Sequence, residues 1–305
     1  MCADKACVVI PVYHPDSKFI ELLDSLRKQN ISDRISILII DSGSDGAYRQ
    51  QLTGLNAVVQ EIDSSEFNHG GTRQQAMDAC KTELCVYLTQ DAILADNKAI
   101  ENILQVFSDE QVGCAYGRQL PHRGAGPFAR FARSFNYGTD SYKRELKDKE
   151  RYGIKTAFLS DYFSAYRCSA VRAVGGFPKN VIHGEDMYLA ARMLLQGWAV
   201  AYCAEAKAYH SHDYTIWQEF CRCFDTGVFQ SRENWLGSSF GKAEGEGIRF
   251  VKEEIAYLAH ENPWLLLSLF IRDGMKFLGY KLGKQERYLP LWLKRHISAN
   301  SAYWG

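Results

Sequence analysis

Four short apolar runs recur through the first hundred residues, at 6–13, 35–41, 57–62 and 84–91, with polar or helical segments between them. A strand that is apolar along its whole length is covered on both faces, which favours parallel pairing with helices above and below. The segment 16–29 fits that scheme, placing Phe19, Ile20, Leu23 and Leu26 at helical spacing on one face. This βαβ rhythm predicts an α/β chain built on a Rossmann-like, mostly parallel sheet flanked by helices. In such a sheet ligands bind beyond the carboxyl ends of the strands, and Asp41 and Asp91 both fall at such ends.

The turn after the first run reads Pro11-Val12-Tyr13-His14-Pro15. It contains neither the glycine fingerprint of a dinucleotide site nor that of a P-loop, so dehydrogenase and P-loop chemistry are disfavoured. Residues 117–180 read as irregular, with Arg118, Pro121, Arg130, Arg133 and Arg144 among aromatics, and are expected to be a loop-rich acceptor region. Beyond Tyr214 the pattern is helical. The chain is therefore divided into a sheet region, 1–214, and a helical C-terminal extension, 215–305.

Composition limits the partners. With 36 Lys+Arg against 36 Asp+Glu, no net basic field exists to hold nucleic acid. Nine cysteines without a CxxC pair argue against a disulfide framework or a zinc ribbon and suggest reduced thiols in the cytosol. A strand begins too early to leave room for a signal peptide, and the longest apolar stretch, 264–271, falls far short of the ~20 residues that span a bilayer. Asn262-Pro263 followed by Trp264, Leu267, Ile271, Met275, Leu278 and Leu282 reads as an Asn-capped amphipathic helix whose opposite stripe carries Ser268, Arg272 and Lys276. From Trp264 onward there are seven Lys/Arg against Asp273 and Glu286, an excess suited to an anionic membrane surface or to a solvated helix face.

Three acidic or imidazole stations carry the expected chemistry. Gln90-Asp91-Ala92 ends an apolar run on a single carboxylate, so a divalent ion held there needs a second ligand, and His210 or His212 of His210-Ser211-His212 can supply it. Such an ion neutralises a departing diphosphate; the plain alternative is a solvated strand-end acid. Glu185-Asp186 follows Gly175-Gly176-Phe177-Pro178 and opens a helical segment, where carboxylates either stabilise the helix dipole or act on a substrate proton. Asp186 is the expected base, with Glu185 beside it. Phe67-Asn68-His69-Gly70-Gly71-Thr72-Arg73 precedes a helix, and Arg73 is expected either to fork onto a phosphate or to hold the site's carboxylates.

Together these stretches resemble the inverting family 2 glycosyltransferases of GT-A fold, and within them the bacterial rhamnosyltransferases. The motifs that carry the resemblance run from Val9-Ile10-Pro11-Val12-Tyr13 through Asp41-Ser42-Gly43-Ser44, Thr89-Gln90-Asp91-Ala92, Gly117-Arg118-Gln119-Leu120-Pro121, Ser164-Ala165-Tyr166-Arg167 and Glu185-Asp186 to Phe224-Asp225-Thr226-Gly227. The resemblance implies that Pro11, Tyr13, Asp41, Ser42, Arg73, Gln90 and Asp91 meet the donor, and that Asp91 and His210 hold Mn²⁺ or Mg²⁺. It also implies that Asp186 is the base and that Arg118, Gln119, Tyr166 and Arg167 lie toward the acceptor. The implied donor is dTDP-β-L-rhamnose and the implied acceptor a lipid-linked surface polysaccharide at the cytoplasmic face of the inner membrane, reached by peripheral contact. Other readings are a transferase of UDP-hexose or UDP-hexosamine, and a non-catalytic nucleotide-sugar-binding subunit.

Overall fold

The computed structural model describes residues 5–241 and 244–305. Nine strands form one sheet: β1 (Ala6–Val12), β2 (Ile35–Asp41), β3 (Ala57–Glu61), β4 (Leu84–Leu88), β5 (Ile93–Leu94), β6 (Val112–Leu120), β7 (Tyr142–Arg144), β8 (Phe163–Arg167) and β9 (Ala199–Tyr209). Their spatial order is β3-β2-β1-β4-β8-β6-β9-β5, with β7 pairing β9 outside that path. The four strands expected from the sequence lie together and pair in parallel. Beyond β4 the sheet is mixed, because β8 runs antiparallel to both β4 and β6, whereas β6 and β9 are parallel.

Residues 117–180 are not the loop-rich stretch expected. They contain most of the close of β6, the helix Pro127–Asn136, β7 and β8. The pattern was obscured because β6, Val-Gly-Cys-Ala-Tyr-Gly-Arg-Gln-Leu, is built largely of small residues that pack by fitting close neighbours rather than by bulk. A Cβ on Gly117 would lie 2.5 Å from the Ala206 carbonyl oxygen.

Strand alternation divides the core into two layers. Ala6, Val8, Ile10 and Val12 of β1 face one layer, shared with Phe19, Leu22, Leu23 and Leu26 of the helix Ser17–Arg27. Asp16 caps that helix, accepting from the Lys18 N–H at 2.9 Å. Cys7 and Val9 face the other layer, which continues into Phe220, Phe224 and Val228 of the helix Ile216–Arg232. The C-terminal helices therefore share a core with the sheet. The eight described cysteines are free thiols, and all but Cys223 are buried.

Near the C-terminus the apolar pattern and the packing diverge. Asn262 makes no side-chain cap; a short 3-10 turn, Pro263–Leu265, precedes the helix Leu266–Lys284. That helix meets Ile216–Arg232 through Gly279 and Gly283, where a Cβ would lie 2.4 Å from the Phe220 carbonyl oxygen and 2.0 Å from that of Phe224. Only glycine permits this backbone contact, although it costs a helix interior roughly 0.5–1 kcal/mol per residue. Most of the expected core stripe is turned outward instead, with Trp264 and Leu267 both 73% exposed and Ile271 and Leu278 about half exposed, while Met275 and Leu282 of the same stripe pack against the core. The expected solvent stripe faces protein: Arg272 pairs with Glu219 at 2.8 Å and Lys276 with Asp273 at 2.5 Å and Glu254 at 3.4 Å. No helix among the described residues is long and apolar enough to cross a membrane.

Candidate active site

The sheet brings its chemistry to one edge. β1, β2 and β4 end at Val12, Asp41 and Leu88, and antiparallel β8 begins there, its Phe163 opposite Leu88. β9 ends at the same edge, where the His210 N–H donates to the Leu120 carbonyl at 2.7 Å. Tyr13, Asp91, Asp161, Asp186 and His210 are thereby assembled from distant parts of the sequence.

The first cluster is Asp91, His210 and His212. Each offers one ligand atom, and these atoms lie within 4.8 Å of one another. The two Nε2 atoms are 2.8 Å apart and stand 3.6 and 3.4 Å from Asp91 Oδ2. A turn closed by the Ala92 N–H on the Thr89 carbonyl presents Asp91, and the Thr89 hydroxyl donates to Oδ1 at 2.8 Å. His210 is clamped by the Tyr162 ring, stacked at 3.4 Å between centroids, while the Tyr162 hydroxyl donates to the Tyr209 carbonyl. The His210 Nδ1–H donates to Gln119 Oε1 at 3.1 Å, and Arg133 donates to the same oxygen. With Nδ1 carrying the proton, the Nε2 lone pair points at its partners. Burial pushes the His210 pKa well below the ordinary imidazole value, reinforced by His212 and Arg133, and burial lowers that of His212 against the pull of Asp91. Two neutral imidazoles and a carboxylate converging on one point fit a divalent transition-metal ion.

The second cluster is saturated from within. The buried Arg73 guanidinium reaches Asp161 Oδ2 at 2.8 Å and Glu185 Oε1 at 2.9 Å. Of the two roles expected of Arg73, the structure therefore contains the second, holding carboxylates; contact with a donor phosphate is not available to a group so engaged. Burial would push the Glu185 carboxyl up, but the Arg73 charge outweighs it and leaves the pKa below the usual value. Glu185 is thus a fixed charge at the root of the site rather than a second catalytic acid.

Asp186 differs from its neighbour. It is half-buried at the start of the helix Glu185–Leu195, accepting from the Met187 N–H at 2.7 Å and the Asp161 N–H at 3.2 Å, with no cation paired to it among the described residues. Burial, with the charges of Asp161 and Glu185, pushes its pKa up to about 8. A carboxyl that exchanges its proton near neutral pH suits a general base.

Ser160-Asp161-Tyr162, which the sequence reading passed over, joins the two clusters. Ser160 accepts from Gln119 Nε2 at 2.9 Å, Asp161 meets Arg73 and Asp186, and Tyr162 holds His210. The available sequence signal was weak: Asp161 stands two residues before the run Phe163-Ser-Ala-Tyr-Arg, at a strand start, whereas Asp91 follows the end of its strand. Asp161 accepts from Ser164 and Tyr166, and its pKa is nevertheless raised by burial against the Arg73 charge.

Other expected residues are distributed more widely. Pro11 is half-buried at the end of β1, and the Gln90 amide clasps the Tyr13 backbone through both its oxygen and nitrogen, leaving the Tyr13 ring 55% exposed. The Asp41 carboxylate is turned onto its own loop, accepting from Ser44, Gly43 and Tyr48, and the Ser42 hydroxyl donates to the Val12 carbonyl. Tyr166 is fully buried beneath Asp161, to which its hydroxyl donates, so it cannot touch an acceptor. Arg167 lies at the opposite sheet edge, opposite Leu84, donating to the Phe107 and Val112 carbonyls and pairing with Glu83. Arg118 sits beside Tyr202 and Glu205 of β9. Of the expected acceptor group only Gln119 reaches the site, where it orients His210. Arg133 was noted in sequence without a role; its guanidinium stands 3.5 Å from His210 Nδ1, and its buried Nε has no partner among the described residues.

Residues 7–175 match glycosyl transferase family 2. The chain is 44% identical over 302 residues to the O-antigen chain rhamnosyltransferase RfbN of Salmonella typhimurium, covering 98% of this chain and 96% of that protein. It is also 44% identical over 299 residues to the O-antigen chain rhamnosyltransferase WbaN of Salmonella anatum, covering 97% and 95%. Among solved structures, a mannosyltransferase of Pyrobaculum calidifontis in complex with GDP-Man and Mn²⁺ superposes with a TM-score of 0.58 at 18% identity, over 99% of this chain and 85% of that one. That likeness carries the fold, the GT-A arrangement of a mixed sheet between helices. The chain belongs to glycosyl transferase family 2, in the bacterial branch represented by O-antigen chain rhamnosyltransferases, and it is a glycosyltransferase.

Proposed function

We propose that this glycosyltransferase moves L-rhamnose from dTDP-β-L-rhamnose to a sugar hydroxyl of a lipid-linked surface polysaccharide, by a single displacement that inverts the anomeric centre. The rhamnosyl group and the polysaccharide acceptor are supported by the names of the two relatives that match along almost the whole chain; the dTDP carrier and the inversion follow from the resemblance carried by the motif set. The observation that carries the mechanism is one sheet edge holding both an ion-ready triad and a carboxyl whose pKa is pushed up to about 8.

In this reading Asp186 takes the proton of the attacking acceptor hydroxyl while its oxygen bonds to the anomeric carbon. The carbon–oxygen bond to the diphosphate breaks, and its electron pair leaves with the nucleoside diphosphate. Asp161 and Met187 hold the Asp186 carboxyl through their N–H groups, and Arg73 keeps the neighbouring acids charged and in place. The exposed Tyr13 ring, beside Pro11 and the Asp41-Ser42 loop, faces the nucleoside. Asp91, His210 and His212 would hold a divalent cation, which when bound neutralises negative charge on the diphosphate. The outward apolar stripe of Leu266–Lys284, with Lys281 in its last turn, supports peripheral contact with the cytoplasmic membrane face.

The test is to incubate the purified protein with dTDP-L-rhamnose, UDP-glucose or UDP-N-acetylglucosamine, following nucleotide release and donor-induced thermal stabilisation. Selective stabilisation by dTDP-L-rhamnose with turnover is expected. Preference for a UDP-sugar would overturn the rhamnosyl assignment, and silence toward every donor would overturn catalysis by this chain.

A further inference from the structure

A cavity of about 950 Å³ lies between the helices Pro127–Asn136, Ile216–Arg232, Glu244–Glu261 and Leu266–Lys284. That is at the upper end of the ~300–1,000 Å³ of small-molecule sites. It adjoins the active site, because Arg133 and His212 belong to its wall. It also reaches the surface, because Phe277 and Ile248, 62% and 60% exposed, line it too. Phe128, Val251 and Phe250 give it an apolar interior.

Several charges on its wall are paired with one another, and Asp213, Lys252 and Lys281 also belong to it. Arg272 is paired with Glu219, and Lys276 with Asp273 and Glu254. Arg133, at the active-site end, has no carboxylate partner among the described residues and carries an unpartnered buried Nε. The cavity thus offers a cation where it meets the metal-ready triad, a largely apolar interior in which Arg272 and Lys276 are paired, and a mouth at the exposed Phe277, on the helix that also exposes Leu267 and Phe270. A sugar or a peptide would leave its polar groups unpaired in that interior. A ligand with an anionic head and a long flexible hydrocarbon chain matches all three parts.

We infer that this cavity holds the hydrocarbon chain of the acceptor's lipid carrier, with the carrier's phosphate-bearing head at Arg133 and its chain leaving past Phe277 toward the membrane. The inference rests on the lipid-linked acceptor of the proposed function. It gives the C-terminal helices a substrate-binding role, and it places the acceptor glycan, which continues from the carrier head, at the sheet edge that holds Asp186.

Cys223 lines the cavity and supplies the readout, since the other described cysteines are buried. The full chain in mild detergent is treated with N-ethylmaleimide at alkaline pH, and alkylation of the Cys223 peptide is followed by mass spectrometry. A long-chain polyprenyl phosphate is expected to slow labelling about tenfold, as near-saturating occupancy requires, and Val251→Trp, whose fold is checked by its melting transition, is expected to abolish that protection. Equal labelling with and without the polyprenyl phosphate overturns the assignment, and equal protection by phosphatidylglycerol would reassign the cavity to bilayer lipid. Parallel transfer assays with lipid-linked and water-soluble glycans separate the two proposals. Transfer to the lipid-linked glycan with Cys223 unprotected removes the cavity assignment alone; protection of Cys223 with transfer only to soluble glycans removes the lipid-linked acceptor of the proposed function.

Discussion

The two clusters at the sheet edge contain acids of similar origin and treat them in opposite ways. Around Arg73, two carboxylates share one guanidinium, and hydroxyl donors close in Asp161, so both acids have their partners inside the fold. Around Asp91, two imidazoles and a carboxylate turn their ligand atoms toward one point, within 4.8 Å of one another. A closed cluster fixes geometry and sets the proton affinity of the one acid it leaves unpaired, Asp186. An open cluster leaves its donor atoms converging where an ion would fit. In the proposed reading, the comparison separates the machinery that would prepare the base from the machinery that would receive the donor.

Removing the base should have the largest effect. Asp186→Asn is expected to lower turnover by about 10²–10⁴-fold, the range of general-base catalysis, while donor-induced thermal stabilisation persists. Surviving turnover would break the assignment of the closed cluster to proton transfer.

Arg73→Met should strip the counterion from two buried carboxylates, costing about 3–5 kcal/mol of stability as read by urea unfolding at neutral pH. A loss below 1 kcal/mol would mean the cluster is not held by its internal charge. The open cluster should respond in metal affinity instead. Gln119→Leu removes the acceptor that fixes the His210 tautomer, and by the usual cost of losing an outer hydrogen-bond partner, Mn²⁺ affinity should fall about 10–100-fold with little change in melting temperature without metal.

The pH profile distinguishes the clusters again. Asp186 acts as base only when deprotonated, and its pKa is raised to about 8, so kcat/KM should rise with pH toward a midpoint near that value and fall away below it. A midpoint near the ordinary carboxylate range would show that Asp161 and Glu185 do not act on it. The smallest expected effect is the choice of ion. A site with two imidazoles favours transition metals, so Mn²⁺ should support turnover at least as well as Mg²⁺, and activity in Mg²⁺ with none in Mn²⁺ would count against the His210 and His212 ligands.

How much of this was legible in the sequence depended on range. β1 to β4 were readable because each is rich in apolar and β-branched residues, near-continuously so in β1, β2 and β4, and their observed ends lie within a few residues of those expected. Asp91, His210 and Asp186 were readable because they sit at motif positions beside elements that could be recognised. Asp161 was not singled out, because β8 was not recognised as a strand, and without the strand its end could not be placed. Tyr166 and Arg167 were misplaced for a related reason. Strand alternation and the antiparallel direction of β8 put one under Asp161 and the other at the far edge, and neither follows from local pattern.

The helix Leu266–Lys284 marks the same boundary. Its period was evident, but which stripe faces inward was decided by Gly279 and Gly283 meeting the backbone of Ile216–Arg232. The sequence by itself determined the parallel half of the sheet, the family motifs and the acids and imidazoles available for chemistry, because these depend on local periodicity and on residue type. Only the tertiary structure decided which acids are neutralised by Arg73, which one is left to exchange its proton, and which helix face meets solvent. Those outcomes depend on burial and on distances between residues far apart in the chain, which no local pattern contains.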